Sequence, residues 1–212
     1  HIQYIKKITS IPICIDSEGA QIRTGKMHNG TACLVEGGLL KINRQPVAGN
    51  SKHISFYPEE SIDLVQIYDL ISIDFNTALI QVVEKKSDYL IAKVITEGSI
   101  GSNKAVSVNR QIRMNPLTRK DEESIKIAVG FGVKHFALSF ANHLEDVQAI
   151  RHQTPKNSFI ISKIESREGI RNLEAIADAS DAILIDRGDL SREEPIESIP
   201  LLQKHIINKA KS

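Results

Sequence analysis

The chain has 212 residues, 41% hydrophobic and 25% charged, with 27 basic against 26 acidic side chains. That composition belongs to a globular protein with a sizeable core and excludes a disordered one. The balanced charge gives no basic excess for nucleic acid, no apolar run nears the ~20 residues that span a membrane, and His1 to Thr9, mixed and carrying Lys6 and Lys7, does not read as a secretory pattern.

Taken in order, His1 to Ile5 reads as the end of a helix, and Ile11 to Asp16 as a short strand buried on both faces. Ser17 to Thr24 is a polar, Gly-containing stretch. Cys14 and Cys33 lack metal-ligand spacing, and a reduced, cytoplasmic protein without a disulfide is expected. From Gly25 to about Arg110 short β-branched runs alternate with turn signals such as Gly37-Gly38 and Ala48-Gly49-Asn50, which predicts an all-β insert. Within it, Ala78 to Val83 and Tyr89 to Ile95 form a hairpin across Glu84 to Asp88.

After Pro116 the period changes. Helices are predicted over Asp121–Phe131, stopped by Gly132; after an Asn142 cap; over Glu168–Ala179; and over Pro200–Ala210. Strands are predicted over Val133–Phe140, Ser158–Glu165 and Asp181–Asp186. This alternation means a parallel sheet with helical crossovers. The expected division is 1–24 and 113–212 in one α/β domain, with 25–112 an inserted β domain.

Residues at i and i+2 of a strand share a face, so Lys163 and Glu165 project together from the C-terminal end of a parallel strand. Barrel enzymes place their active sites at that end. Asp189, after the next strand, projects from the same rim. Two carboxylates beside a lysine suit Mg²⁺ with a phosphate, since Mg²⁺ prefers oxygen ligands and an ammonium neutralises phosphoryl charge. By itself, a Lys163-x-Glu165 pair at a strand end usually reads as a solvated ion pair, and Arg187-Gly188-Asp189 reads as a Gly-containing turn with a capping Asp.

Longer stretches carry a resemblance. Ile161-Ser162-Lys163-Ile164-Glu165-Ser166, then Ser180-Asp181-Ala182-Ile183-Leu184-Ile185-Asp186-Arg187-Gly188-Asp189-Leu190-Ser191, Pro195-Ile196-Glu197 and Gln203-Lys204 resemble, in order, the motifs of pyruvate kinases. Ile15-Asp16-Ser17-Glu18-Gly19-Ala20-Gln21-Ile22-Arg23-Thr24-Gly25 is similar to the family's Leu-Asp-Thr-Lys-Gly-Pro-Glu-Ile-Arg-Thr-Gly. Gly98 to Val106 resembles its lid segment, and Lys120-Asp121 and Ser139-Phe140 also match.

The resemblance implies an α/β fold, part of a (β/α)8 TIM barrel with a small all-β barrel inserted as a lid. It implies phosphoryl transfer between phosphoenolpyruvate and ADP, giving pyruvate and ATP in glycolysis. Lys163 would stabilise the phosphoryl group in flight; Glu165 and Asp189 would hold Mg²⁺ or Mn²⁺; the N–H groups around Gly188 and Asp189 would receive the substrate carboxylate. Arg23 would contact phosphate, Lys104 the nucleotide, Asp16 and Ser17 K⁺, and Phe140 would pack on the Lys163 stem. A homo-oligomer, a tetramer by resemblance, is implied, with no nucleic-acid or membrane partner.

The sequence departs from the family at Glu18 for Lys, Ala20 for Pro and Gln21 for Glu, and the last puts K⁺ dependence in question. Asp186 stands where the family has Ala, and Ser191 where it has Gly. A carboxylate at Asp186 either repels the substrate carboxylate or points outward. Four barrel strands are readable, whereas a closed TIM barrel has eight, so an excerpt of a longer chain is expected. The alternative is a divergent or truncated paralogue that binds phosphoenolpyruvate or another phosphate ester without kinase activity. Mg²⁺-dependent lyases and aldolases lack the β insert. A non-catalytic interaction module would scatter Lys163, Glu165 and Asp189 more than ~10 Å apart, beyond the reach of one ion.

Overall fold

A computed structural model describes residues 1–211. The chain divides into two compact units, residues 1–20 with 115 onward, and Gln21–Met114. It opens with α1 (Ile2–Ile8) and β1 (Cys14–Asp16). β1 is shorter than the expected Ile11–Asp16 because Pro12 has no N–H for a ladder; Ile11 is 73% exposed.

The second unit is the β insert. Its elements are β2 (Ile22–Thr24), β3 (Thr31–Leu34), β4 (Leu39–Asn43), β5 (His53–Tyr57), one helical turn α2 (Ser61–Leu64), β6 (Leu70–Ile73), β7 (Ala78–Lys85), β8 (Tyr89–Thr96), β9 (Gly98–Gly101) and β10 (Ala105–Val108). Seven strands close a barrel in the order β10-β2-β5-β4-β8-β7-β6, and β3 pairs with β9 alone. Closure removes sheet edges. The inward alternation leaves Leu40, Ile42, Ile54, Ile71, Ile73, Ile80, Val82 and Leu90 fully buried. The β7–β8 hairpin is antiparallel as its alternation requires. Ile22 to Thr24, within the stretch read from the sequence only as polar and Gly-containing, forms β2 against β10 and β5, and this unit begins at Gln21.

The chain then continues with α3 (Arg119–Gly130), β11 (His135–Leu138), α4 (Leu144–Gln153), β12 (Phe159–Ile164), α5 (Arg167–Arg171), α6 (Leu173–Ala179), β13 (Ala182–Ile185), α7 (Arg187–Leu190) and α8 (Ile199–Ala210). With β1 these strands form a parallel sheet, β1-β11-β12-β13. This is the strand–helix alternation of part of a (β/α)8 barrel. On β12, Ile160, Ser162 and Ile164 are buried while Phe159, Ile161 and Lys163 face the other way. Ile160 and Ile164 join Phe136, Leu138, Val147, Ile150 and Ile176 in the core under the helices.

Three local expectations need correction. The helix expected over Glu168–Ala179 is broken at Asn172 into α5 and α6, where the Asn172 side chain donates to the Asn142 carbonyl at 2.8 Å. The cap of α4 is His143 rather than Asn142, because the Asp146 carboxylate accepts both their N–H groups at 2.9 Å. Strand Val133–Phe140 shortens to β11, since Phe140 has φ +52° and cannot continue a ladder. Gly132 has φ +69°, as a residue just past a helix end requires.

Candidate active site

The C-terminal ends of all four parallel strands bring polar groups to one place. Asp16 ends β1, Ser139 follows β11, Lys163 lies near the end of β12 with Glu165 just beyond, and Asp186 follows β13. The Lys163 ammonium lies 3.1 Å from Glu165 Oε1, 3.3 Å from Asp16 Oδ2, 3.1 Å from Ser139 Oγ and 4.0 Å from Asp186 Oδ2. Its stem is largely buried and Glu165 almost wholly so. The shared face of Lys163 and Glu165, read from the two-residue period, brings the two charges into contact.

Glu165 also accepts the Phe140 N–H at 2.6 Å. Phe140 is in the left-handed region, a conformation that costs a non-glycine residue about 1–3 kcal/mol and persists where the surroundings fix it. Here the strain turns the Phe140 N–H onto the acid. Burial pushes the Glu165 carboxyl up to about 7, against the opposing pull of the Phe140 N–H and Lys163, with Asp189 adding to the rise. Burial alone would lower the Lys163 pKa; Glu165 and Asp16 outweigh it, and Lys163 stands above its ordinary value. The pair is therefore asymmetric: the shallower lysine is held charged, while the deeper acid is driven toward neutrality.

Glu165, Asp186 and Asp189 each offer an oxygen within 4.8 Å of the others. These hard oxygen donors on converging side chains fit a Mg²⁺ or Mn²⁺ ion. Asp189 Oδ1 also lies 2.9 Å from an Arg192 guanidinium nitrogen. Asp186 caps α7: its Oδ1 accepts the N–H of Gly188 at 3.1 Å and of Asp189 at 3.4 Å. The N–H groups expected to receive a ligand carboxylate thus carry one from the chain itself.

Ser17 is buried, and its hydroxyl accepts the Ser139 N–H at 3.0 Å. Asp16 pairs with Lys163, and its Oδ1 accepts the Ser139 hydroxyl at 3.2 Å. In the β unit, Arg23 donates to the Asn103 carbonyl at 3.3 Å, and Lys104 pairs with Asp74 at 3.1 Å.

Two residues that support the site were not assigned that role from the sequence. Ser139 bridges Asp16 and Lys163. Asp121 is buried and accepts the N–H groups of Glu18 at 2.7 Å and Gly19 at 3.2 Å, besides that of Thr118 at 2.9 Å. It therefore pins the loop after β1. Gly19 has φ +72°, and a Cβ there would stand 2.4 Å from the Ser139 carbonyl oxygen. The signal for Asp121 was present as the capping pattern Thr118-x-x-Asp121. Glu18, the charge reversal in this loop, forms an ion pair with Lys120.

A family described as "Pyruvate kinase, barrel domain" matches residues 2–212. A pyruvate kinase of Geobacillus stearothermophilus is 32% identical over 207 residues, and one of Sporosarcina psychrophila is 33% identical over 206 residues; each match covers 94% of this chain and 35% of the relative. A pyruvate kinase of Thermotoga maritima is 31% identical over 210 residues, covering 97% of this chain and 45% of the relative. The chain thus spans less than half the length of these relatives. The family match runs through both compact units and through every strand that carries the Lys163 cluster, and the chain belongs to the pyruvate kinase family.

Proposed function

We propose that the protein carrying this chain transfers a phosphoryl group between phosphoenolpyruvate and ADP, giving pyruvate and ATP. The observation that carries this reading is the meeting of Lys163 with Glu165, beside the oxygens of Asp189. Phosphoryl transfer needs little covalent help from a protein; it needs positioned charge. The Lys163 ammonium, kept protonated by Glu165 and Asp16, neutralises the oxygens of the group in flight. Glu165 and Asp189 would hold Mg²⁺ or Mn²⁺, which when bound supplies Lewis-acid neutralisation of phosphoryl and enolate oxygens. Ser139 and Asp16 fix the lysine head by hydrogen bonds, so the charge is aimed before substrate arrives.

Arg23 as a phosphate contact and Lys104 as a nucleotide contact are part of the same proposal, as are K⁺ at Asp16 and Ser17, a homo-oligomer, and a cytoplasmic, glycolytic setting. No helix among the described residues is long and apolar enough to cross a membrane.

The test is pyruvate formation from phosphoenolpyruvate, ADP and Mg²⁺. Lys163→Met should lower kcat by at least about a hundredfold, the scale of one lost charge-stabilising donor. Equal rates in the variant and the parent would overturn the reading. A second reading, a phosphate-ester binder without transfer, is favoured by one observation: Asp186 already holds the Gly188 and Asp189 N–H groups. Ligand binding without product would select it.

A further inference from the structure

We infer that Asp186 is a specificity-determining residue: its side chain is a built-in competitor of any ligand carboxylate at this site. The inference rests on the proposed function, taken with the role that the resemblance implies for the Gly188 and Asp189 N–H groups, that of receiving the substrate carboxylate.

Asp186 already makes the interactions such a ligand would seek. Its Oδ1 takes the N–H groups of Gly188 and Asp189, at 3.1 and 3.4 Å. Its Oδ2 faces the Lys163 ammonium at 4.0 Å. It also offers an oxygen within 4.8 Å of Glu165 and Asp189. The fit is close: a Cβ on Gly188 would stand 3.3 Å from Asp186 Oδ1. Two carboxylates cannot share one pair of N–H donors, and like charges this close repel. A carboxylate-bearing ligand must therefore turn Asp186 out of its seat. A phosphate without a carboxylate meets no such competitor. Asp186 thus weakens phosphoenolpyruvate selectively, through KM rather than kcat, and biases the site toward phosphoryl ligands that leave the N–H pair alone.

The experiment compares the protein with Asp186→Ala and Asp186→Asn, by calorimetric titration with phosphoenolpyruvate and with inorganic phosphate, both with Mg²⁺. Alanine frees the N–H groups; asparagine removes the charge but keeps an acceptor for them. Asp186→Ala should bind phosphoenolpyruvate at least about tenfold more tightly, with no gain for phosphate, whose binding with Mg²⁺ gains nothing from the loss of an oxygen beside Glu165 and Asp189. Asp186→Asn should gain distinctly less than alanine. Equal gains in both variants, or for both ligands, would mean a general charge effect and overturn the inference. Tight phosphoenolpyruvate binding by the parent, unimproved in Asp186→Ala, would overturn it while leaving the proposed function standing. Failure of every form to bind either ligand would overturn the proposed function and the inference with it. A thermal melt of each variant separates these outcomes from loss of fold, and asparagine, which retains the cap, serves as the folded control.

Discussion

Glu165 lies 3.1 Å from the Lys163 ammonium, yet its carboxyl is held up at about 7 while the lysine is held in its charged form. Depth explains the difference: the acid is cut off from water on nearly all sides, whereas the lysine keeps more carboxylate partners than Glu165 alone. An incoming cation must displace the proton that this depth favours on Glu165.

This relationship gives stability a definite pH dependence in metal-free protein. The ordinary value is 4.5, and the folded state raises it to about 7. Between those values the folded protein keeps a proton that the unfolded chain has released. The Glu165 contribution to stability therefore falls as pH rises through that window and is constant outside it, by about 3 kcal/mol in all, at about 1.4 kcal/mol per unit. Denaturant titrations from pH 4 to 8 should show the fall in the parent and lose it in Glu165→Gln. A parent curve unchanged across the window would contradict the raised value. A divalent ion binds only the carboxylate form, so added Mg²⁺ should move the Glu165 midpoint downward in a carbon-13 titration of labelled glutamate.

Lys163→Met should push the Glu165 midpoint further up, because the ammonium is one of the groups pulling it down. The same labelled-glutamate titration reads this directly. An unchanged midpoint would mean that the 3.1 Å contact carries little electrostatic coupling.

Asp121→Ala should destabilise the parallel unit by about 3 kcal/mol, since one buried carboxylate serves the N–H groups of Thr118, Glu18 and Gly19. The loop after β1 should also loosen, seen as faster amide exchange at Glu18 and Gly19. Melting within about 2 °C of the parent would show that the loop is held by other contacts.

In the β unit, Arg110 grips the buried Asp69 with two hydrogen bonds, at 2.9 and 3.0 Å. Arg110→Ala strands that carboxylate and should cost about 2–4 kcal/mol, discounted from the fully buried case because the arginine is partly exposed. Adding Asp69→Leu should recover part of the loss, since the stranded charge goes with it; chemical denaturation of the double variant measures this. A double variant worse than the single would show that Asp69 serves mainly its bond to the Gln66 N–H.

Features that depend on neighbours along the chain were legible in the residues alone. Alternation by two put Lys163 and Glu165 on one face, β-branched runs marked the insert and its β7–β8 hairpin, and the Arg187-Gly188-Asp189 turn placed Asp189 at the same rim. The family resemblance rested on such short stretches. Contacts between distant segments needed the fold. Asp16 meets Lys163 across 147 residues because β1, β11 and β12 lie side by side in register. Ser139 is drawn between them, and Asp121 reaches the loop after β1, for the same reason. β2 went unread within the polar Ser17 to Thr24 stretch because a three-residue strand has too few positions to show a period. Asp186 is the plainest case: its sequence position allowed an outward or an inward carboxylate, and the unsatisfied N–H groups at the start of α7 drew it inward.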